Sequence, residues 1–183
     1  MIKYKGVVFK MEIIDLYDSK KQKLNKTMER SAGEPADGEF KLSVHTWILN
    51  SKGELLIQKR NENLKRNPGK WAFTGGAVDT NETSLNGAKR EVKEEIGIEV
   101  KDDEIEYLLS FKREKGFVDV WLVKKDIVIE DLKLQDEEVS EARWVSLKTL
   151  TELAEKGEMV NSVNLYIELL VNLLKKCHNV SCE

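Results

Sequence analysis

The chain has 183 residues, of which 40% are hydrophobic and 34% charged. That is the composition of a folded globular protein with one domain-sized core, and it excludes a disordered or fibrous chain. A balance of 30 Lys and Arg against 33 Asp and Glu, net −3, argues against bulk nucleic-acid binding, and no apolar run approaches the roughly 18 residues of a membrane span.

Residues 1–40 read as an N-terminal strand and loop extension. Short apolar pieces, "GVVF" and "MEIIDLY", flank the charged run "DSKKQKLNK", and "SAGEPADGE" closes the segment with loop formers. Met11 opens a new strand-like pattern and is a candidate native start. The opening "MIKYKGVVFK" has no apolar stretch of signal-peptide length. The two cysteines, Cys177 and Cys182, both fall in the tail, so no disulfide framework is present. A cytoplasmic protein is expected.

From 41 to 150 the pattern is that of a compact core. "LSVHTWIL" alternates and is rich in β-formers, "NSKGE" turns, and "LLIQK" returns as a second strand. "RNENLKRNPGK" is a basic loop, and "WAFTGGAVD" is a short strand broken at Gly75-Gly76. The spacing of Leu85, Ala88, Val92 and Ile96 predicts a helix over 82–96, with Gly97 as its C-terminal cap. "YLLSF", "FVDVWLVKKDIVI" and "ARWVS" follow as strands. Ser146 can cap a short helix through Ala154. Residues 151–183 hold a C-terminal helix and tail, with Val163, Tyr166, Ile167, Leu170 and Leu174 at helical spacing. This order predicts an α/β chain with helices packed on a mixed sheet.

The segment "REVKEEIG" places Glu91, Glu94 and Glu95 on one side of that helix. Like charges at these spacings destabilise an isolated helix. A solvated acidic face is one reading. The other is a cation held by three carboxylates. Hard oxygen ligands favour Mg²⁺, Mn²⁺ or Ca²⁺ over zinc, and a few ligands on one helix leave positions open for substrate phosphates. Gly76, Glu82 and "REVKEEIGI" together satisfy G-x5-E-x7-R-E-U-x-E-E-x-G-U, with Val92 and Ile98 aliphatic. Chance occurrence at the seven fixed positions is on the order of 10⁻⁶ or below.

In this box the chain resembles the Nudix hydrolases. Weaker similarity covers about 41–150, in "GELLIQKR", "NPGKWAFTGGAV" and "EVSEARWVS". The resemblance implies an α/β/α sandwich and Mg²⁺- or Mn²⁺-dependent hydrolysis of a diphosphate linkage in a small nucleoside diphosphate derivative, by direct attack of water at phosphorus. Glu91, Glu94 and Glu95 match the family's metal-ligand positions, and the Gly76 carbonyl matches a backbone ligand. Arg90 matches the residue that orients the glutamates, and Glu82 a structural position. The general base stays open between Glu94 on the helix and Glu137 or Glu138 on a later loop. Arg60 and Lys65, in the basic loop leading to the phosphate site, are phosphate-binding candidates. Thr74 stands where the family commonly has proline.

The N-terminal run and "VHTWILNSKGELLIQKR" resemble the subgroup related to isopentenyl-diphosphate isomerase, which makes isomerisation a rival activity. Its cysteine would fall within "WAFTGG" and its extra metal histidine at Lys41, and this chain has neither. A non-catalytic Nudix-fold sensor is the other rival, although such modules have eroded boxes. A homodimer through the C-terminal helix is left open, and the group X on the substrate is not specified.

Overall fold

The computed structural model describes residues 2–4, 7–9, 12–164 and 166–177. Met11, His178 and Cys182 lie outside them. The N-terminal segment forms two antiparallel hairpins. The first pairs β1 (Ile2–Tyr4) with β2 (Val7–Phe9), and the second pairs β3 (Ile13–Tyr17) with β4 (Lys23–Glu29). Lys21, at the tip of the second, takes a left-handed φ of 63°.

The central sheet contains β5 (Lys41–Leu49), β6 (Leu55–Arg60), β7 (Trp71–Ala72), β8 (Ile105–Arg113), β9 (Gly116–Lys124) and β10 (Val139–Val145). Its order is β10-β6-β5-β9-β8, with β7 on β6. β5 and β9 run parallel, with Lys41 facing Gly116 and Leu49 facing Lys124, and their neighbours are antiparallel. The sheet is therefore mixed, as expected. β9 stops at Lys124, short of the expected 129, because Asp126 turns away to accept bonds from the Ser51 amide and hydroxyl.

Strand alternation divides the interior in two. Trp47, Leu55, Ile57, Val120 and Leu122 point to one face, where they meet helices α2 (Leu147–Glu155), α3 (Asn161–Asn164) and α4 (Ile167–Cys177). Val44, Ile48, Leu56 and Phe117 point to the other, where they meet Ala88, Val92 and Ile96. These last belong to the remaining helix, α1 (Ser84–Ile96). Three layers result, α/β/α. Ser146 caps α2 by accepting from Thr149 N at 3.1 Å. The expected C-terminal stripe is buried throughout, but the described helix is interrupted at Tyr166, which lies in a turn between α3 and α4. Its ring lies against Trp47 and Phe111, and its hydroxyl meets His45 Nδ1 at 2.7 Å. Among the described residues no helix is long and apolar enough to cross a membrane.

Candidate active site

Helix α1 begins two residues later than the apolar spacing suggests. Thr83 is its cap, accepting from Asn86 N at 3.1 Å, and Glu82 is freed to face inward. Gly97 ends the helix in a left-handed conformation, φ 76°. The apolar stripe turns Glu91 and Glu95 toward the sheet, where both are buried, while Glu94 stays half exposed. Burial of two carboxylates needs room, and the neighbouring loop provides it. A Cβ on Gly76 would fall 2.4 Å from Glu91 Oε1, and one on Gly75 would fall 2.1 Å from the Val44 carbonyl oxygen. A Cβ on Gly87 would meet Glu82 and Val78.

Arg90 organises the acidic side. Its Nε and Nη2 bond Glu82 at 3.0 Å each, and Nη2 also bonds the Ala77 carbonyl at 2.8 Å. Nη1 bonds Glu91 Oε1 at 2.8 Å and Glu94 Oε2 at 2.9 Å. All five N–H donors of the guanidinium are thus engaged. Burial works against its charge, but bonds to Glu82 and the nearby Glu91 and Glu94 leave it more firmly protonated than a free arginine. Glu95 is held separately. Its Oε2 accepts from Gln58 Nε2 at 2.8 Å and from Gly75 N at 2.9 Å. Gln58 in turn accepts from the Thr74 hydroxyl at 3.2 Å, so the threonine standing at the usual proline position anchors this chain of bonds.

The carboxylates do not converge on one point, as the helical spacing suggested. Arg90 holds Glu91 and Glu94, Glu95 turns to Gln58, and among the described residues no three acidic, histidine or cysteine side chains form a ready metal cage. Even so, their chemistry fits a hard divalent cation. Each carboxylate has one oxygen fixed by the protein, while Glu91 Oε2, Glu94 Oε1 and Glu95 Oε1 accept no hydrogen bond among the described residues. Burial pushes the Glu91 carboxyl up to about 7 against the pull of Arg90, and burial with the Glu91 charge pushes Glu95 up to about 8. A cation beside the free oxygens offsets both effects, and an all-oxygen donor set suits Mg²⁺ or Mn²⁺. The Gly76 carbonyl oxygen accepts from Val44 N at 2.9 Å, which uses one of its two lone pairs.

Gly75 and Gly76 also form one edge of a cleft of about 580 Å³. Arg30, Lys41, Arg66, Arg113 and Lys115 line it, with Glu34 and Glu114 as its acidic members. Arg60 and Lys65 are not among the lining residues. Arg60 Nε bonds the Arg66 carbonyl, so the basic loop sends Arg66 to the cleft instead. Glu138 is half-buried and Glu137 exposed. The charge of Glu138 is felt by both Glu95 and Arg30, which puts it beside the carboxylates. Sequence reasoning missed Arg30, Arg113 and Gln58. Only Gln58 carried a readable signal, as the one amide within the apolar run "LLIQ" of a central strand.

A model of the NUDIX domain matches residues 39–164. Over 152 residues the chain is 40% identical to an uncharacterized Nudix hydrolase of Listeria monocytogenes, covering 82% of this chain and 89% of that one. The crystal structure of a MutT protein from Methanosarcina mazei superposes with a TM-score of 0.60 at 31% identity, covering 80% of this chain and all of that one, 100%. A Deinococcus radiodurans structure shares the fold, with a TM-score of 0.71 at 22% identity over 91% of this chain and 99% of that one. With its complete glutamate box, its three-layer fold and these likenesses, the chain belongs to the Nudix hydrolase family.

Proposed function

We propose that this protein hydrolyses the diphosphate linkage of a small nucleoside diphosphate derivative, with Mg²⁺ or Mn²⁺ as cofactor and with water attacking phosphorus directly. One observation carries the reading. Three carboxylates of α1 each have one oxygen anchored and one free, and two of them, Glu91 and Glu95, stand against Gly75-Gly76 at the edge of a cleft whose charged lining is mostly cationic.

In this reading Glu91, Glu94, Glu95 and the Gly76 carbonyl would hold the cation. When bound, it supplies charge against the diphosphate and lowers the pKa of water. The chain's own residues do the rest. Arg90 fixes the rotamers of Glu91 and Glu94, and Gln58 with the Gly75 amide fixes Glu95. Such preorganised charge avoids reorganisation during the reaction. In this reading Glu94, half exposed, or Glu138, half-buried near Glu95, with its exposed neighbour Glu137, would take the proton from water. The other phosphate leaves, giving a nucleoside monophosphate and a phosphorylated X. Absence of a cysteine from residues 71–76 supports hydrolysis over isomerisation.

A single turnover in ¹⁸O-labelled water tests this. One labelled oxygen is expected on one product phosphate. Label on carbon alone, or a trapped phosphoryl-enzyme, would overturn it.

A further inference from the structure

The cleft has a second specialised wall. Residues 74–78 lie along the flank of β5, with Val44 N bonding the Gly76 carbonyl and Val78 N bonding the Leu42 carbonyl. Beyond β5 come β9 and then β8, where Arg113 pairs with Gly116 and Gly116 with Lys41. Three steps between neighbouring strands span about 14 Å. The Arg113 backbone therefore stands well away from the Gly76 edge, and its side chain reaches back far enough for its charge to act on His45.

The other four cations of the cleft have partners. Arg30 bonds Glu12 at 2.5 Å, Lys41 the Gly33 carbonyl at 2.5 Å, and Lys115 Asp37 at 2.7 Å, while Arg66 lies 4.0 Å from Glu34. Arg113 is half-buried and makes no hydrogen bond or close ion pair among the described residues, with the Glu34 carboxylate acting on it only at longer range. Leaving a partly desolvated guanidinium unpaired is costly. The like-charged neighbours around this cleft add to that cost. The described lining contains no Phe, Tyr or Trp, and His45 is its one aromatic ring.

We infer that Arg113 receives an anionic group of the substrate distal to the scissile diphosphate, a further phosphate or a carboxylate. The preferred substrate class is then a nucleoside diphosphate derivative that carries this extra charge. The inference rests on the hydrolase reading for the position of the diphosphate, but its test does not need turnover.

Equilibrium binding is measured in EDTA with compounds that differ by one phosphate: coenzyme A against dephospho-coenzyme A, and ADP-ribose against its terminally phosphorylated form. The wild-type chain should bind the more phosphorylated member of at least one pair about tenfold tighter. In Arg113→Gln that ratio should fall to near one, and Arg113→Lys should keep most of it, which separates loss of charge from loss of fold. Equal binding of both members of both pairs by the wild type, or an unchanged ratio in Arg113→Gln, would overturn the assignment. Hydrolysis with Mg²⁺ is assayed separately, and its absence would count against the hydrolase reading alone.

Discussion

Arg90 is why Glu91 and Glu94 can share one helical face. Two of its five bonds go to them and offset their repulsion, two go to Glu82 and one to the Ala77 carbonyl, while Glu95 is held apart by Gln58 and the Gly75 amide. Glu94 has only one of those bonds and is half exposed, so Glu94→Gln should leave the melting temperature nearly unchanged. Its kcat should drop at least about 10²-fold, because the change removes charge where the diphosphate reacts. An active Glu94→Gln enzyme would move the chemistry elsewhere. His45 makes a different kind of prediction. Burial, with the Arg113 charge adding, holds its imidazole down at about 3. The folded state therefore keeps it neutral while the unfolded chain takes a proton near pH 6.5. Its contribution to stability is complete above about 6.5 and is lost as pH falls toward 3. Urea melts of the wild type and His45→Asn at pH 7 and pH 5 isolate this effect, since shifts of other groups cancel in the difference. The wild-type advantage should shrink by about 2 kcal/mol at pH 5. Parallel pH profiles would refute the burial argument.

At the scale of elements, the β3–β4 hairpin is fastened to the core by the buried Ile14 and Leu16 and also by charged side chains. Asp15 is buried and accepts from the Thr80 hydroxyl at 2.9 Å and Asn81 N at 3.0 Å, in the loop that leads into α1. Lys21 bonds the buried Asp119 of β9 and Ser110 of β8. Lys21→Ala leaves Asp119 buried without its cation, which costs about 3 kcal/mol when the carboxylate cannot reach water. Hydrogen exchange should rise in residues 13–29 before it rises in α1. Uniform exchange across the chain would show that the hairpin is not a separate unit. This fastening is the part of the fold the sequence hid. Elements set by local periodicity, such as α1, β5 and the C-terminal stripe, are legible because their residues meet neighbours three, four or two positions away. Glu82, Arg90, Glu91 and Glu94 are legible for the same reason. Arg30 and Arg113 are not, since each sits among other charges at or just past the end of a strand, and only the strand order brings them to one cleft. Arg60 and Arg66 differ only in where the 61–70 loop folds, which its composition does not specify.

For the whole molecule, a cation held at the free carboxylate oxygens, as proposed, would link the site to global stability. Binding to the folded state alone stabilises by about 2.7 kcal/mol at a hundredfold excess over Kd, which raises the melting temperature by several degrees in a chain of this size. Mg²⁺ or Mn²⁺ should produce that rise, and Glu91→Gln should blunt it. A melting temperature indifferent to both ions would contradict the fit of the donor set. The parallel pairing of β5 with β9 has one more consequence, for the order in which the chain can fold. Lys41 must find Gly116, and Leu55 must find Val145, before the sheet exists. Contacts so distant in the chain make folding slow relative to helical proteins of similar stability. During synthesis, α1 emerges before β8, β9 and β10, so its apolar stripe has only β5 and β6 to cover it until the later strands arrive. Helix α1 is thus made early and completed late, and its glutamates are brought to their final positions only when the second half of the chain closes over the first.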